Sequence, residues 1–175
     1  MRILSLGAGV QSTTLLLMAH HGDIEPFDHV IFADTGWERE ATYENLRRLV
    51  LECGDDVPIH VESAGNLRAD SLSKTGDFAS LPGYILWPNG THGRLQRQCT
   101  NHYKLRVIKR QVRELGASRS NPADMVIGIS WDEWTRVRDS DVRYIRNVYP
   151  LIERQLTRLD CEHWLTEHGY DITPK

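Results

Sequence analysis

The sequence has few cysteines and no long hydrophobic run. Its three cysteines are widely separated and odd in number among 175 residues, which argues against a disulfide framework and against a self-contained zinc site. Its eight histidines show no metal-binding spacing. No apolar run approaches the roughly 20 residues that cross a bilayer, and Met1 leads into a predicted strand without a basic leader segment. We therefore expect a cytoplasmic protein with no membrane partner.

The first glycine-bearing segment lacks the marks of two common nucleotide loops. Residues 7–12 read GAGVQS, without the lysine of a Walker loop, and Ser12 stands where the GxGxxG fingerprint has its third glycine. This segment lies between a short apolar run at Ile3 and Leu4 and a helix-like run over residues 13–19. The order of strand, turn and helix predicts a set of backbone amides that binds an anion such as phosphate. The alternatives are an ordinary strand-to-helix turn without a ligand, and an NAD-type dinucleotide site, which Ser12 disfavours.

The residue types in this turn suit a diphosphate. Gly7 and Gly9 allow positive φ and leave no Cβ in the way of an anion. The Ser12 hydroxyl adds a side-chain donor to the backbone donors. The predicted anion cradle consists of Ser5, Gly7, Ala8, Gly9, Gln11 and Ser12.

Short apolar runs alternate with helical patterns along the chain. Strands are predicted at residues 2–5, 29–33, 58–61 and 125–129, and helices at residues 39–53, 103–115 and 160–167. The predicted apolar stripes are Tyr43, Leu46, Val50 and Cys53 on one helix and Leu105, Ile108, Val112 and Leu115 on another. The alternation predicts a single α/β domain over residues 1–175, with a parallel sheet between two helical layers. Residues 66–97 show no clean periodicity and are predicted to form a long mobile loop.

Polar residues follow the predicted strands at their carboxyl ends, where parallel sheets bind ligands. Asp34 ends the second strand and is followed by Thr35 and Gly36, which would border the ligand pocket. Asp34 is a candidate for nucleotide or Mg²⁺ binding, and its alternative role is the N-cap of a helix that starts near Trp37. After the last predicted strand, the candidates for nucleotide or substrate contact are Gly128, Asp132, Glu133 and Arg136, although a structural salt-bridge network explains the charged ones equally well.

A strongly basic segment spans residues 94–119, with Glu114 as its one acidic residue. Cys99 lies in it between Arg97 and Lys104, so we expect a lowered thiol pKa there and a reactive thiolate or metal ligand, or else a small buried residue. Arg97 and Lys104 would pair with phosphate or sulfate oxygens. The cationic residues further along form either a solvated face or a nucleic-acid surface, for which Tyr84 and Trp87 are stacking candidates, if they are not simply packed locally. Cys53 and Cys161 fall on apolar stripes and are predicted core residues.

Four separated motifs give the chain a resemblance to a known family. They are SLGAGVQSTTLLL, VIFADTGWEREATYENL, RQCTNHYK with its basic helix, and GISWDEWTRVR. In this order they resemble the phosphoadenosine phosphosulfate (PAPS) reductase-like proteins of the PP-loop, or adenine nucleotide alpha-hydrolase-like, superfamily. The resemblance implies a five-stranded, mostly parallel Rossmann-like sheet that binds ATP or PAPS and holds a diphosphate in its first loop.

The resemblance leaves two reactions open. One is thiol-dependent reduction of PAPS or its analogue without the 3′-phosphate (APS). The other is α-phosphate cleavage of ATP with Mg²⁺. The catalytic candidates are Cys99, Asp34 and Lys104. Gln11 replaces the carboxylate of the common loop and disfavours the ATP reaction. An iron–sulfur cluster at Cys99 would need a Cys-x-x-Cys segment beyond Lys175, so we expect a truncated chain or a reduced member. The alternative function is a partner-dependent module, with a nucleic acid or protein partner and no turnover of its own. A homo-oligomer is also left open.

Overall fold

A parallel five-stranded sheet forms the centre of the protein. The computed structural model describes residues 1–73, 84–94 and 100–172. Its strands are β1 (Arg2–Leu6), β2 (His29–Asp34), β3 (Ile59–Ser63), β4 (Tyr84–Leu86), β5 (His92–Arg94), β6 (Ala123–Ile127) and β7 (Ile145–Val148). The large sheet has the order β3-β2-β1-β6-β7, and β4 pairs with β5 in a separate antiparallel hairpin. This is the α/β architecture that the alternating pattern predicts.

The strand order reverses at β1. Leu4 pairs with Val30 of β2 on one side and with Val126 of β6 on the other, and all four pairings in the large sheet are parallel. The chain leaves β1 toward β2 and β3, then returns past β1 to β6. Such a reversal opens a crevice beyond the carboxyl ends of the two strands that flank it. The segments after β1 and β6 therefore lie where the fold positions a ligand.

Helices cover both faces of the sheet. The helices are α1 (Val10–His20), α2 (Glu40–Cys53), α3 (Leu67–Leu72), α4 (Arg106–Glu114), α5 (Pro150–Glu153) and α6 (Arg158–Glu167), with a π-helix at Asn101–Leu105 and a 3₁₀ segment at Trp131–Arg136. Helices α1, α2 and α6 contribute to one apolar cluster, and α4 contributes Val112 to a second cluster with Ile3 and Ile31. The fold has three layers, as predicted. No helix of the described ranges is long and apolar enough to cross a membrane.

Two predicted apolar stripes are wrong by one position each. Val50 is 41% exposed, because α2 turns Asn45, Leu46 and Leu49 inward instead. Leu105 is 45% exposed and ends the π-helix, and the buried residues of α4 are Val107, Gln111 and Val112. A π-helical turn has more residues than an α-helical one, so it rotates the following helix away from the register that a regular 3.6-residue repeat predicts.

The segment predicted as a long mobile loop contains regular structure. Helix α3 begins at Leu67 after Asn66, whose side chain accepts a hydrogen bond from the Ala69 amide at 2.9 Å. The hairpin of β4 and β5 follows at residues 84–94, so the prediction of a loop without elements is wrong for both stretches. The remainder, residues 74–83 and 95–97, lies outside the described residues.

Gln155 has a strained backbone conformation. Gln155 follows α5 with a φ of 56°, a left-handed conformation that costs a non-glycine residue about 1–2 kcal/mol. Glycine is the usual residue at this position after a helix. We expect Gln155→Gly to raise the free energy of unfolding by about 1 kcal/mol and the melting temperature by about 2–4 °C. Gln155→Ala keeps the strain, so an equal gain in both variants would contradict this account in calorimetry.

Candidate functional site

The glycine turn (residues 7–9) follows β1 and leads into α1. Neither Gly7 nor Gly9 has a positive φ, and the left-handed residue is Ala8, with a φ of 50°. Gly9 is the N-cap of α1 with φ −90° and ψ 177°. A Cβ at Gly9 would meet nothing within 4 Å, and one at Gly7 would meet only the Ser12 hydroxyl at 3.8 Å. The glycines therefore provide open space above the turn, rather than the conformational freedom that the sequence suggested.

The left-handed Ala8 is held by Asn45 of α2. The Asn45 amide donates to the Ala8 carbonyl at 3.0 Å and to the Thr13 hydroxyl at 2.8 Å, and all three residues are buried. Arg48, one turn further along α2, donates to the Asn45 side-chain oxygen at 2.8 Å. Sequence reasoning missed Asn45. The one available signal was a polar residue beside Leu46 on a helix with an apolar face.

Ser12 closes the glycine turn from within. Its hydroxyl accepts from the Gly7 amide at 3.2 Å and donates to the Gly9 carbonyl at 3.3 Å. The residue is buried, so its hydroxyl braces the backbone of the turn. Ser5 lies inside β1, paired with Ile31 and Ile127 on the neighbouring strands. Of the two serines, Ser12 is thus the one whose side chain bonds to the backbone of the turn.

The open anion donors are backbone amides of the first turn of α1. The first helical hydrogen bond joins the Thr13 amide to the Gly9 carbonyl at 2.9 Å, and no side chain caps the helix. Amides before that bond have no partner inside the helix. Those of Val10 and Gln11 lie beside the exposed Gly9 at the positive end of the helix dipole. These two amides are therefore the candidate donors for an anion at the start of α1.

The Gln11 side chain joins three parts of the fold. Its amide nitrogen donates to the Ser130 hydroxyl at 3.4 Å and to Glu133 at 3.2 Å, while its oxygen accepts from Arg158 at 3.3 Å. Gln11 is only 8% exposed. Its side chain thus fastens the start of α1 to the turn after β6 and to the start of α6. With its side chain engaged in these bonds, Gln11 has its backbone amide as the candidate donor to an anion.

The charged residues after β6 are engaged in the same network. The Arg158 amide donates to Asp132 at 2.9 Å, and this bond, together with one from Ser130, holds the pKa of Asp132 below its usual value. Glu133 pairs with Arg136 at 2.7 Å. The structure thus places all three residues after β6, with Glu133 and Arg136 in a salt bridge and Asp132 bonded to the Arg158 backbone. Arg158 is the member of that network that sequence reasoning missed.

Gly128 sets how closely α1 approaches β6. A Cβ at Gly128 would lie 2.9 Å from the Ser12 amide nitrogen and 3.1 Å from the Ser12 Cα. These are backbone atoms, which cannot rotate away. Gly128 therefore allows the start of α1 to pack directly on the residue that follows β6.

Asp34 and its neighbours form the other side of the crevice, after β2. Asp34 accepts from the Gly36 amide and from the Tyr43 hydroxyl, each at 2.8 Å. Burial, and then the bond to Asp34, raises the pKa of Tyr43. The alternative role of Asp34 as the N-cap of a helix near Trp37 is not observed, because α2 starts at Glu40 with Arg39 as its N-cap. Asp34 instead closes the turn in which Gly36 has a φ of 68°.

Lys104 reaches this same turn from the π-helix. Its ammonium pairs with Glu38 at 2.7 Å, and the buried Thr35 donates to the same Glu38 oxygen at 3.0 Å. The structure therefore brings the predicted residues Asp34, Thr35, Gly36 and Lys104 together. Arg97 and Cys99 lie outside the described residues.

The two described cysteines belong to the core. Cys53 and Cys161 are buried, and burial raises the pKa of Cys53 to about 12 and that of Cys161 to about 11. Both thiols are therefore protonated and unreactive at neutral pH, as their positions on apolar stripes predict. No group of three His, Cys, Asp or Glu side chains within residues 1–73, 84–94 and 100–172 is arranged to hold a metal ion.

Comparison with known proteins gives a match in fold. No protein-family model matches the sequence, and no curated protein matches it. Among solved structures, the chain is similar to the phosphoadenylyl-sulfate (PAPS) reductase of Candida auris, determined as a phosphate complex. The TM-score is 0.65 at 16% sequence identity, and the match covers 98% of this chain and 74% of that one. The chain thus has a PAPS reductase-like fold.

Proposed function

We propose that this protein is an adenine-nucleotide-binding enzyme that holds a diphosphate on the start of α1. The observation that carries the proposal is the pair of uncapped amides at Val10 and Gln11, which lie beside the empty Cβ position of Gly9. They lie at the point where the strand order reverses, which is where such sheets bind nucleotides. The similar PAPS reductase was solved with phosphate, an anion of the chemistry that we assign to this turn.

The rest of the nucleotide would extend toward the end of β2. Thr35 and Gly36 border the crevice there, and the Lys104 ammonium lies within 2.7 Å of Glu38 on the same turn. In this arrangement Lys104 has two N–H donors beyond the one that faces Glu38, and these are the candidate donors to a second phosphate or to a sulfate group. The Thr35 hydroxyl donates to the same Glu38 oxygen that pairs with the ammonium, and it thereby holds that carboxylate in place.

The donor set favours sulfonucleotide chemistry over ATP cleavage. In ATP cleavage, an acceptor oxygen would attack the α-phosphorus and pyrophosphate would leave onto the α1 amides, with Mg²⁺ bound by carboxylates. The α1 side does not fit Mg²⁺, because Gln11 replaces a carboxylate and Glu133 is already paired with Gln11 and Arg136. In the sulfonucleotide reaction, a thiolate attacks the sulfate sulfur and the S–O bond to the nucleotide phosphate breaks, so the loop has only to grip the phosphates. Cys99 and an external dithiol are the candidate thiols, and the second thiol of the pair would release sulfite as the disulfide forms.

The two cysteines of the described residues are packed in the core, away from the crevice. A partner-dependent module without its own turnover is the second candidate function. The fact that favours it is that Gln11, Asp132 and Glu133 are all bonded to other protein groups.

The proposal is tested by calorimetric titration of ATP, PAPS, AMP and NAD against the wild type and Gly9→Val. The valine fits the backbone of residue 9 and clashes with nothing within 4 Å of its Cβ, so the variant should fold while its side chain fills the anion position. We expect the diphosphate-type ligands to lose all measurable affinity. Gly9→Ala is the milder control, and circular dichroism verifies the fold of both. Wild-type affinity in Gly9→Val, or binding of NAD alone, would contradict the proposal.

Turnover assays on the wild type separate the reactions. Sulfite release from PAPS with a dithiol donor supports the sulfonucleotide reaction, and pyrophosphate release from ATP supports α-phosphate cleavage. Nucleotide binding without either product supports the partner-dependent module.

A further inference from the structure

Positive charge is concentrated in one part of an otherwise acidic chain. Residues 100–146 contain ten lysines and arginines against six acidic residues, a net charge of +4, while the whole protein carries −3. The remainder therefore carries −7. A polyanion approaching this protein would be attracted to one region and repelled by the rest.

The basic groove lies along the outer face of α4. It is an open groove of about 420 Å³ lined by Arg106, Lys109, Arg110 and Arg113, with Glu114 and Tyr144 at its sides. Lys109 pairs with Asp141 at 2.7 Å, and Arg110 lies 3.4 Å from Glu62 and 3.9 Å from Glu114. These acids neutralise part of the groove. Arg106 has no ion pair with any described residue, and Arg113 stacks over the Tyr144 ring at 5.6 Å.

Exposed tryptophans lie at the other end of the same segment. Trp131 is 44% exposed and Trp134 is 62% exposed, both in the Trp131–Arg136 segment that follows β6, which we call the tryptophan turn. The acids of this turn bond to the protein: Asp132 to the Arg158 amide and Glu133 to Gln11. The turn is therefore anchored by its polar groups and presents its aromatic rings to solvent, which reverses the usual distribution.

Residues 137–144 connect the tryptophan turn to the basic groove. Asp141 and Tyr144 fasten this connection to α4 through Lys109 and Arg113. Arg138 lies near its start, with an exposed guanidinium held by the carbonyls of Thr135 and Val137. The surface formed by the tryptophan turn, residues 137–144 and the basic groove thus has exposed aromatic rings at its first segment and cations at its last.

We propose that this surface binds single-stranded nucleic acid, with phosphates along the basic groove and unpaired bases stacked on Trp131 and Trp134. Stacking on aromatic side chains requires bases whose faces are free, and a cationic groove that follows the backbone is its usual companion. The phosphates of a duplex could pair with the cations of the groove, but its bases are stacked on one another and could not stack on the tryptophans. The charges of an acidic protein would pair with the cations of the groove, but they would not account for the two exposed indole rings.

This inference goes beyond the proposed function and does not require it. It adds a second ligand whose bases would lie at the same sheet edge as the nucleotide, because the tryptophan turn directly follows β6. Binding of the nucleic acid can therefore be measured in the absence of ATP, PAPS or any other free adenine nucleotide. The Gly9→Val variant is expected to retain it fully, so failure of one proposal is distinguishable from failure of the other.

The experiment is fluorescence anisotropy with labelled oligothymidine and oligouridine of about 20 nucleotides, longer than common single-strand site sizes. A duplex of equal length and heparin are the comparison ligands. We expect Trp134→Ala to weaken single-strand binding about tenfold, and Trp134→Phe to restore most of it. The double variant Arg106→Gln/Arg113→Gln should lower the slope of log affinity against log salt by about 1.4, since each phosphate neutralised contributes roughly 0.7.

Matched controls lie on the acidic part of the chain. Arg47→Gln and Leu51→Ala remove an exposed cation and an exposed apolar side chain from α2, and both should leave binding unchanged. The proposal is overturned by absence of single-strand binding in low salt. It is also overturned if heparin and the duplex bind as tightly as the single strands while Trp134→Ala has no effect, since the surface would then recognise charge alone.

Discussion

Replacing Gly128 with alanine is expected to lower the free energy of unfolding by about 1–3 kcal/mol, the usual effect of forcing an extra carbon into a packed interior. The new Cβ would lie 2.9 Å from the Ser12 amide nitrogen and 3.2 Å from the Gln11 carbonyl carbon. Both are backbone atoms of the first turn of α1, so the helix itself must move. For a chain of this length, the melting temperature should fall by about 2–12 °C.

The same displacement should weaken nucleotide binding, because the amides of Val10 and Gln11 belong to the turn that moves. Gly9→Ala is the matched control: it adds the same methyl group two residues before Gln11, where nothing lies within 4 Å. That variant is expected to change the stability little, because the weaker N-cap preference of alanine opposes its restriction of the unfolded chain. Equal melting temperatures for the Gly128 and Gly9 variants, measured by calorimetry, would show that α1 and β6 are not in steric contact.

Four of the five strands of the large sheet were predictable because each is an apolar run in the local sequence. The predicted strand at residues 29–33 is observed as His29–Asp34, and that at residues 2–5 as Arg2–Leu6, since buried parallel strands appear as continuous apolar runs. Strand β7 has the sequence IRNV and lies at the sheet edge, where two polar side chains mask the pattern. The residue pattern therefore missed it, and the fifth strand was expected only from the family resemblance.

The positions of the candidate site residues in the fold were predictable, but their contacts were not. Placing Asp34 and Asp132 at the carboxyl ends of strands requires only the topology. The role of Arg158 depends on α6 packing beside α1 across 147 residues of sequence, which no local pattern reports. Ser12 was expected to donate to a ligand, and its burial against Gly7 became visible only in the folded turn. The local sequence thus identified the glycine turn as a candidate binding segment. The tertiary contacts determine which side chains support that turn.

The position of Asn45 leads to the second large prediction, because one side chain stabilises the strained residue of the turn. Asn45→Leu keeps the size of the side chain and removes its donor from the Ala8 carbonyl and the Thr13 hydroxyl. Both groups are buried, and each buried group left without a partner costs about 1–3 kcal/mol. Urea unfolding should show a loss of that size per group. An unchanged unfolding midpoint would contradict the structural role of this amide.

The Asn45→Leu variant should also bind nucleotide more weakly, because the turn at Ala8 is no longer held in its left-handed conformation. A double variant tests this cause. The left-handed Ala8 is less favourable than a relaxed backbone by about 1–2 kcal/mol. Once Asn45 is lost, the turn can relax, and the binding-competent fraction, and with it the affinity, would drop about 5–30-fold. Adding Ala8→Gly removes the conformational penalty, because glycine adopts this φ freely. Asn45→Leu/Ala8→Gly should therefore regain affinity in calorimetric titration while remaining unstable in urea. If the double variant binds as weakly as Asn45→Leu alone, the amide acts on the ligand by some route other than the conformation of Ala8.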